Sequence, residues 1–335
     1  MKSKWLVGLA ALLVSAMVIA GCADNGSGGT PSGVKEPTTA AGGSSVSPSA
    51  SPSPSAPAAA SKKTVYPLTV KDASGKDVTF TKAPERIVSL SPSETEVLFA
   101  LGLNSKIVGV SQYDDYPEEA KSKPKMGNLQ GNPEAIIAAN PDIVFAGLSL
   151  NKPSVDKLTE LKMNLFTAEP KTVDQAIERI ALYGKITDTQ EQADKVIAQM
   201  KADKQKVADA LKGLKDDQKK KVYVEFSAGW TVGKGEFMDD LITLAGGVNV
   251  ASDLQGWKQI SEEKIIQSNP EVILFSKGVP DLEKTIRGRG GWDKIKAMQD
   301  NKVIAVDDNL LSRPGPRVTK ALIDVAKAIY PDLVK

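Results

Sequence analysis

The chain has 335 residues, 41% of them hydrophobic, with 43 basic and 41 acidic side chains. That suffices for one large domain or two modest ones, and so even a charge gives no argument for nucleic acid or an anionic membrane surface as partner. Histidine is absent and Cys22 is the single cysteine, so Ser-His-Asp triads are excluded by inventory. If Cys22 is consumed as described below, zinc sites and cysteine nucleophiles go too, and only an oxygen-ligand calcium or magnesium site stays open, without an EF-hand pattern.

At the start, Lys2 and Lys4 precede an apolar run from Trp5 to Ala20 that ends Ile19-Ala20-Gly21-Cys22. A positive start, a short apolar core and small residues before a cut site describe a signal peptide over residues 1–21, too short for a spanning helix. The segment resembles a bacterial lipobox, which implies that Cys22 is lipidated and becomes the new N-terminus. The alternative is an ordinary signal peptide followed by a free thiol, unusual in a secreted chain. Removal of residues 1–21 takes away two lysines and no acid, leaving 41 basic and 41 acidic residues. Residues 22–63 are nearly all Gly, Ser, Thr, Pro and Ala. Such a segment buries no core and predicts a disordered tether.

The folded part begins near Thr64. Arg86–Leu90 reads as a strand, and Ser93 is placed to cap a helix with apolar positions Val97, Leu98 and Leu101, stopped by Gly102. Ile107–Val110 reads as the next strand, and strand–helix–strand repetition argues for α/β layers with mainly parallel pairing. Residues 134–145 (EAIIAANPDIVF) and 263–274 (EKIIQSNPEVIL) are an internal repeat, identical at five of twelve positions. Each copy is a capped short helix, broken at Asn-Pro, running into an apolar strand. Two copies suggest two similarly built lobes; a chance likeness of two αβ units is the alternative. Between them, Thr189-x-x-Gln192 fits a capping box, and Val196, Met200, Val207, Leu211 and Leu214 form one stripe of a helix over 190–213. At about 1.5 Å per residue it reaches roughly 36 Å, enough to bridge two lobes, or it is a surface helix of one domain.

Aromatic residues stand at predicted strand ends: Tyr113 and Tyr116 in SQYDDYP, Trp230 in SAGWTVGKG and Trp257 in DLQGWKQIS. Ligands of open α/β sheets bind there, and aromatic rings suit a flat or bulky one; the alternative is that each ring plugs its own lobe. In the loop Asn309–Arg317, stiffened by two prolines and a glycine, Arg313 offers a planar donor fork, or the loop is a surface turn. Glu134 and Glu263 occupy equivalent first-turn positions of the repeat, where complementing the helix dipole alone contributes about 0.3–1 kcal/mol. Gly233-Lys234-Gly235 lacks phosphate-loop spacing, and Arg287-Gly-Arg289-Gly-Gly291 reads as a turn. Ser154-x-x-Lys157 and Ser149-x-x-Lys152 lack the companion motifs of a penicillin-recognising enzyme, which leaves a membrane-anchored serine hydrolase as a remote alternative.

Together, ERIVSLSPSETEVLFALG, VGVSQYDDYP, NPEAIIAANPDIVFAG, GGVNVASDLQGWKQIS and DDNLLSRPGPR resemble the substrate-binding proteins of ABC importers for cobalamin and ferric siderophores, across residues 64–335. The resemblance implies an α/β fold of two Rossmann-like lobes with central sheets, joined by one long rigid helix, the ligand cleft lying between them. The lobes would span 64–188 and 215–335, and the helix 189–214. SQYDDYP is most similar to the cobalamin-binding branch. That implies corrinoid contacts at Tyr113, Trp230, Trp257, Asn309 and Arg313, with Glu134 and Glu263 docking onto arginines of the permease. Leu129 departs from that branch, which can carry a tryptophan there. A ferric siderophore or haem is the alternative cargo. The implied protein is a non-catalytic monomer with no cofactor of its own. It would be lipid-anchored outside the cytoplasm and would work with permease and ATPase subunits. Lacking histidine, it would leave the cobalt's own axial ligands in place.

Overall fold

The computed structural model describes residues 63–335, which belong to one compact unit. The expected leader 1–21, the expected lipidation site Cys22 and the expected tether up to residue 62 lie outside the described residues. A hairpin, β1 (Leu68–Lys71) with β2 (Asp77–Phe80), opens the first lobe. There follow β3 (Ile87–Ser89), α1 (Pro92–Ala100), β4 (Ile107–Val110), α2 (Pro133–Ala138), β5 (Ile143–Gly147), α3 (Lys152–Glu160), β6 (Leu165–Ala168) and α4 (Val173–Thr187). The strands form a parallel sheet in the order β4-β3-β5-β6. The long helix α5 (Gln190–Ala210) comes next.

The second lobe comprises β7 (Lys221–Glu225), β8 (Trp230–Val232), α6 (Phe237–Leu244), β9 (Val248–Asn249), β10 (Trp257–Gln259), α7 (Glu262–Ser268), β11 (Val272–Ser276), α8 (Leu282–Arg287), α9 (Lys296–Gln299), β12 (Val303–Val306), α10 (Asp308–Ser312) and α11 (Val318–Ile329). Its parallel sheet runs β12-β11-β7-β9, and β8 and β10 make a separate antiparallel ribbon. The α/β architecture of two Rossmann-like lobes is as the resemblance implies.

Both sheets are covered on two faces, which is why their central strands are apolar runs without alternation. In β5, Ile143 and Phe145 face the core shared with the other lobe, while Val144 and Ala146 face an outer core capped by Ile136 of α2. The second copy of the repeat does the same: Val272 and Leu274 point inward, Ile273 and Phe275 outward beneath Ile265 of α7. The Asn-Pro breaks are also alike. Asn140 and Asn269 take φ of 43° and 46°, the left-handed exit that asparagine tolerates better than most residues.

Several local expectations need correction. The N-cap of α1 is Ser91, not Ser93; Pro92 takes the first helical position, and no side-chain bond caps the helix. α5 stops at Ala210, three residues early, so it is about 31 Å long. Its Thr189 makes no capping bond, because its hydroxyl lies 2.8 Å from that of Thr187 instead. Asp188 in a left-handed conformation ends α4 and folds α5 back along it, with Gly184 leaving room for Ala193. α5 thus packs on α4 on one side and α11 on the other, and its Ala193, Met200 and Val207 enter the core that both lobes share.

Two buried acids of α1 tie the lobes at one end of the interface. Glu94 accepts hydrogen bonds from Arg179 and from the Tyr183 hydroxyl, both on α4, and Arg179 Nη2 reaches the carbonyl of Pro314 in the second lobe at 2.5 Å. Burial, then the charge of Glu94, holds the Tyr183 hydroxyl well above the ordinary tyrosine range. Glu96 takes a two-pronged bond from Arg317, at 2.9 Å from Nε and 2.6 Å from Nη2, and lies 3.4 Å from Arg313 Nη1. Replacing one member of such a cluster leaves the others buried without a counter-charge. Glu96→Ala is therefore expected to lower unfolding free energy by about 3–5 kcal/mol in urea titrations, with Glu96→Gln intermediate.

Candidate ligand-binding cleft

A cavity of about 470 Å³ lies between the lobes. The first lobe supplies the chain just beyond the carboxyl ends of β3 (Ser91, Ser93, Glu94), β5 (Leu148 to Leu150) and β6 (Glu169 to Lys171). Trp257, Phe237, Glu236, Ser312 and Pro314 line the opposite side. This is the crevice outside strand ends where sheets of this type take ligands.

A polar chain crosses the cavity. Ser149 donates to Glu169 through both its amide and its hydroxyl, at 3.0 and 2.8 Å. Lys171 Nζ lies 2.9 Å from Glu169 Oε1 and 3.0 Å from Glu236 Oε2, at the start of α6 in the second lobe. Burial works against the Lys171 charge, but the hydrogen bonds to both carboxylates outweigh it and its pKa rises. Burial likewise works against the Glu169 carboxylate, yet bonds from Ser149 and Lys171 bring its pKa below the ordinary value. The cavity's other cation, Arg179, is bound to Glu94. Each cation of the lining is therefore already matched to a carboxylate of the protein.

Among the sequence-predicted contacts, Trp257 lines this cavity. Trp230 and Trp257 are not in loops; they open β8 and β10. The register pairs Trp230 with Gln259 and Val232 with Trp257, which puts the two indoles on one face of the ribbon as diagonal neighbours. Phe226 holds the Trp257 ring edge-on, centroids 4.9 Å apart. Trp230, Trp257 and Tyr113 are each more than two-fifths exposed, against 0% for the core tryptophan Trp292, so they do not plug their lobes. Tyr116 turns elsewhere, its ring 3.7 Å beneath the Arg317 guanidinium.

Arg313 does not present a free fork. It is buried, and its Nη1 donates to Asp115 at 2.6 Å and lies near Glu96, because a guanidinium taken from water must find carboxylates nearby. Asn309 sits in α10 rather than in a loop; that helix is capped by Asp307, whose carboxylate accepts the Asn309 amide at 2.9 Å. Neither residue lines the cavity. Glu134 and Glu263 are exposed and unpaired, each the second residue of its helix, beside caps from Asn132 and Ser261.

Residues missed in the sequence do much of the positioning. Arg289, read as part of a turn, donates two bonds of 2.7 and 2.5 Å to the fully buried Glu225 and stacks on Trp292. Glu225 in turn accepts the Gly229 amide at 2.9 Å, which fixes the turn before Trp230. The signal for such residues is an ionisable side chain inside or beside an apolar run, as in Val-Tyr-Val-Glu225. Among the described residues no group of acids or cysteine is placed to hold a metal ion.

Comparison with known proteins matches this geometry. Residues 87–310 fit the model of a family described as periplasmic binding protein. An uncharacterised ABC transporter substrate-binding lipoprotein of Bacillus subtilis, YvrC, is 33% identical over 97% of both chains. A solved Staphylococcus epidermidis structure, described as a possible iron-binding (periplasmic solute-binding) protein, is 32% identical with a TM-score of 0.66, covering 74% of this chain and all of its own. The periplasmic vitamin B12-binding protein BtuF of Vibrio cholerae is 27% identical with a TM-score of 0.63, covering 74% and 97%. The chain belongs to the periplasmic binding protein family, whose members are extracytoplasmic substrate-binding proteins and not enzymes. No helix among the described residues is long and apolar enough to cross a membrane.

Proposed function

We propose that the protein is the substrate-binding lipoprotein of an ABC importer and that its cargo is a corrinoid. The observation that carries the cargo assignment is the pairing of the cleft's cations. Lys171 and Arg179, the cations of the cavity lining, are both occupied by carboxylates of the chain, so an anionic ferric catecholate or the propionates of haem would meet no unpaired cation inside the cavity. A corrinoid presents neutral amides around a broad ring instead. It is larger than the cavity, so part of it would enter between Ser149, Lys171 and Trp257 while the rest lay against exposed Trp230 and Tyr113. The likeness to the vitamin B12-binding protein supports this reading. Cyanocobalamin is expected to bind at micromolar concentration or below and to quench tryptophan fluorescence. Trp257→Ala should weaken binding by about tenfold or more, as loss of a large aromatic contact does. Tight binding of a ferric hydroxamate without cyanocobalamin binding would overturn the corrinoid assignment.

Glu134 and Glu263 are assigned to docking on basic residues of the permease. Support comes from their exposure, their lack of partners and their equivalence in the repeat. The double charge reversal Glu134→Arg/Glu263→Arg should abolish uptake by cells and leave corrinoid affinity unchanged; uptake that survives rejects the assignment.

Membrane attachment is assigned to lipid on Cys22, on the strength of the Ile-Ala-Gly-Cys sequence and the likeness to a lipoprotein over 97% of both chains. Cys22→Ser is expected to move the protein from the membrane fraction to the soluble fraction. Retention in the membrane fraction would refute lipid attachment through this residue.

A further inference from the structure

Tyr113 follows β4 on a turn whose geometry is set by one buried carboxylate. Asp114 is 2% exposed. Its Oδ2 accepts the Ser111 amide at 2.8 Å and lies 2.8 Å from the hydroxyl of Thr95, which sits on α1 between Glu94 and Glu96. Its Oδ1 takes the Ser111 hydroxyl at 3.1 Å, and that same Ser111 oxygen accepts the Tyr113 amide at 3.2 Å. A chain of hydrogen bonds therefore runs from α1 through Asp114 and Ser111 to the backbone of Tyr113. The next residue, Asp115, meets Arg313 of the second lobe at 2.6 Å.

We propose that Asp114 is a positioning residue for ligand capture, its ionised carboxylate fixing the turn that presents Tyr113 and Asp115. The proposal rests on the assignment of Tyr113 as a ligand contact. Around the carboxylate, α1 contributes neutral Thr95 and β3 neutral Ser89, 2.7 Å from the Thr95 hydroxyl. The following segment contributes Lys125, whose ammonium binds the Asp114 carbonyl at 3.1 Å. Arg313 offsets the neighbouring charge of Asp115.

Burial pushes the Asp114 carboxyl up to about 6, although the hydrogen bonds from Thr95 and Ser111 and the charge of Lys125 pull the other way. A carboxyl raised by folding stabilises the fold fully below its ordinary value near 3.8, and that contribution is lost as pH rises through about 6. Ionisation is therefore unfavourable to folding, yet it supplies the acceptors that the Ser111 turn uses. Affinity and stability should consequently move in opposite directions between pH 5 and pH 7.5.

The test measures amide hydrogen exchange at Ser111 and Tyr113 in the unliganded protein, with cyanocobalamin affinity and melting temperature, across that range for wild type and Asp114→Asn. Wild type is expected to lose protection at both amides as pH falls through about 6 and to bind about five- to tenfold more weakly at pH 5, the difference between a charge-assisted and a neutral hydrogen bond. Asp114→Asn should show weak binding and low protection at every pH without a lower melting temperature. Protection that is flat with pH in wild type, or that Asp114→Asn leaves intact at pH 7.5, overturns the positioning role. Because exchange is read without ligand, failure of cyanocobalamin to bind at any pH would overturn the corrinoid assignment alone. Conserved protection changes with pH-independent affinity would sever the turn from capture and also overturn the proposal.

Discussion

The interface between the lobes depends on two glutamates of one helix. Glu94 and Glu96 are both almost fully buried, and a buried carboxylate is tolerated only where cations and donors surround it. Their partners come from α4 and from the segment between α10 and α11, so one turn of α1 holds its own lobe together and grips the other. The same helix carries Thr95 to Asp114 and its amino end to the cavity floor. One short element thus takes part in both architecture and site: Glu94 engages Arg179 of the cavity lining, while Lys171 is engaged by Glu169 and Glu236 from elsewhere.

Much of this was legible in the sequence. The repeat of helix, Asn-Pro break and apolar strand is a local signal: buried strands between two layers must be apolar throughout, and a helix ending in Asn-Pro has few ways to continue. The two equivalent surface acids followed from that alignment. The ribbon that carries the indoles was not legible, and the loops expected there are strands, since β8 and β10 are three residues each and their pairing joins segments 27 residues apart.

The ion pairs were not legible. Arg317 and Glu96 are 221 positions apart, Arg179 and Glu94 85 apart, and no periodicity links such pairs. Arg313 shows the consequence: a stiff proline-flanked arginine reads as a donor for a ligand, and only three dimensions reveal Asp115 beneath it. The helix cap failed for a related reason. A capping box specifies which groups are able to bond, whereas Thr189 stands beside Thr187, which competes for its hydroxyl.

The shared core has a further consequence for how the molecule is assembled. Domains with separate cores melt and fold separately. Here residues of β5, α4, α5, β7, β11 and α11 contribute to one apolar cluster, so neither lobe can form its inner face alone. Residues 63–335 should therefore unfold as a single cooperative unit, in which the first lobe, although synthesised first, waits for the last helix before its inner face is covered.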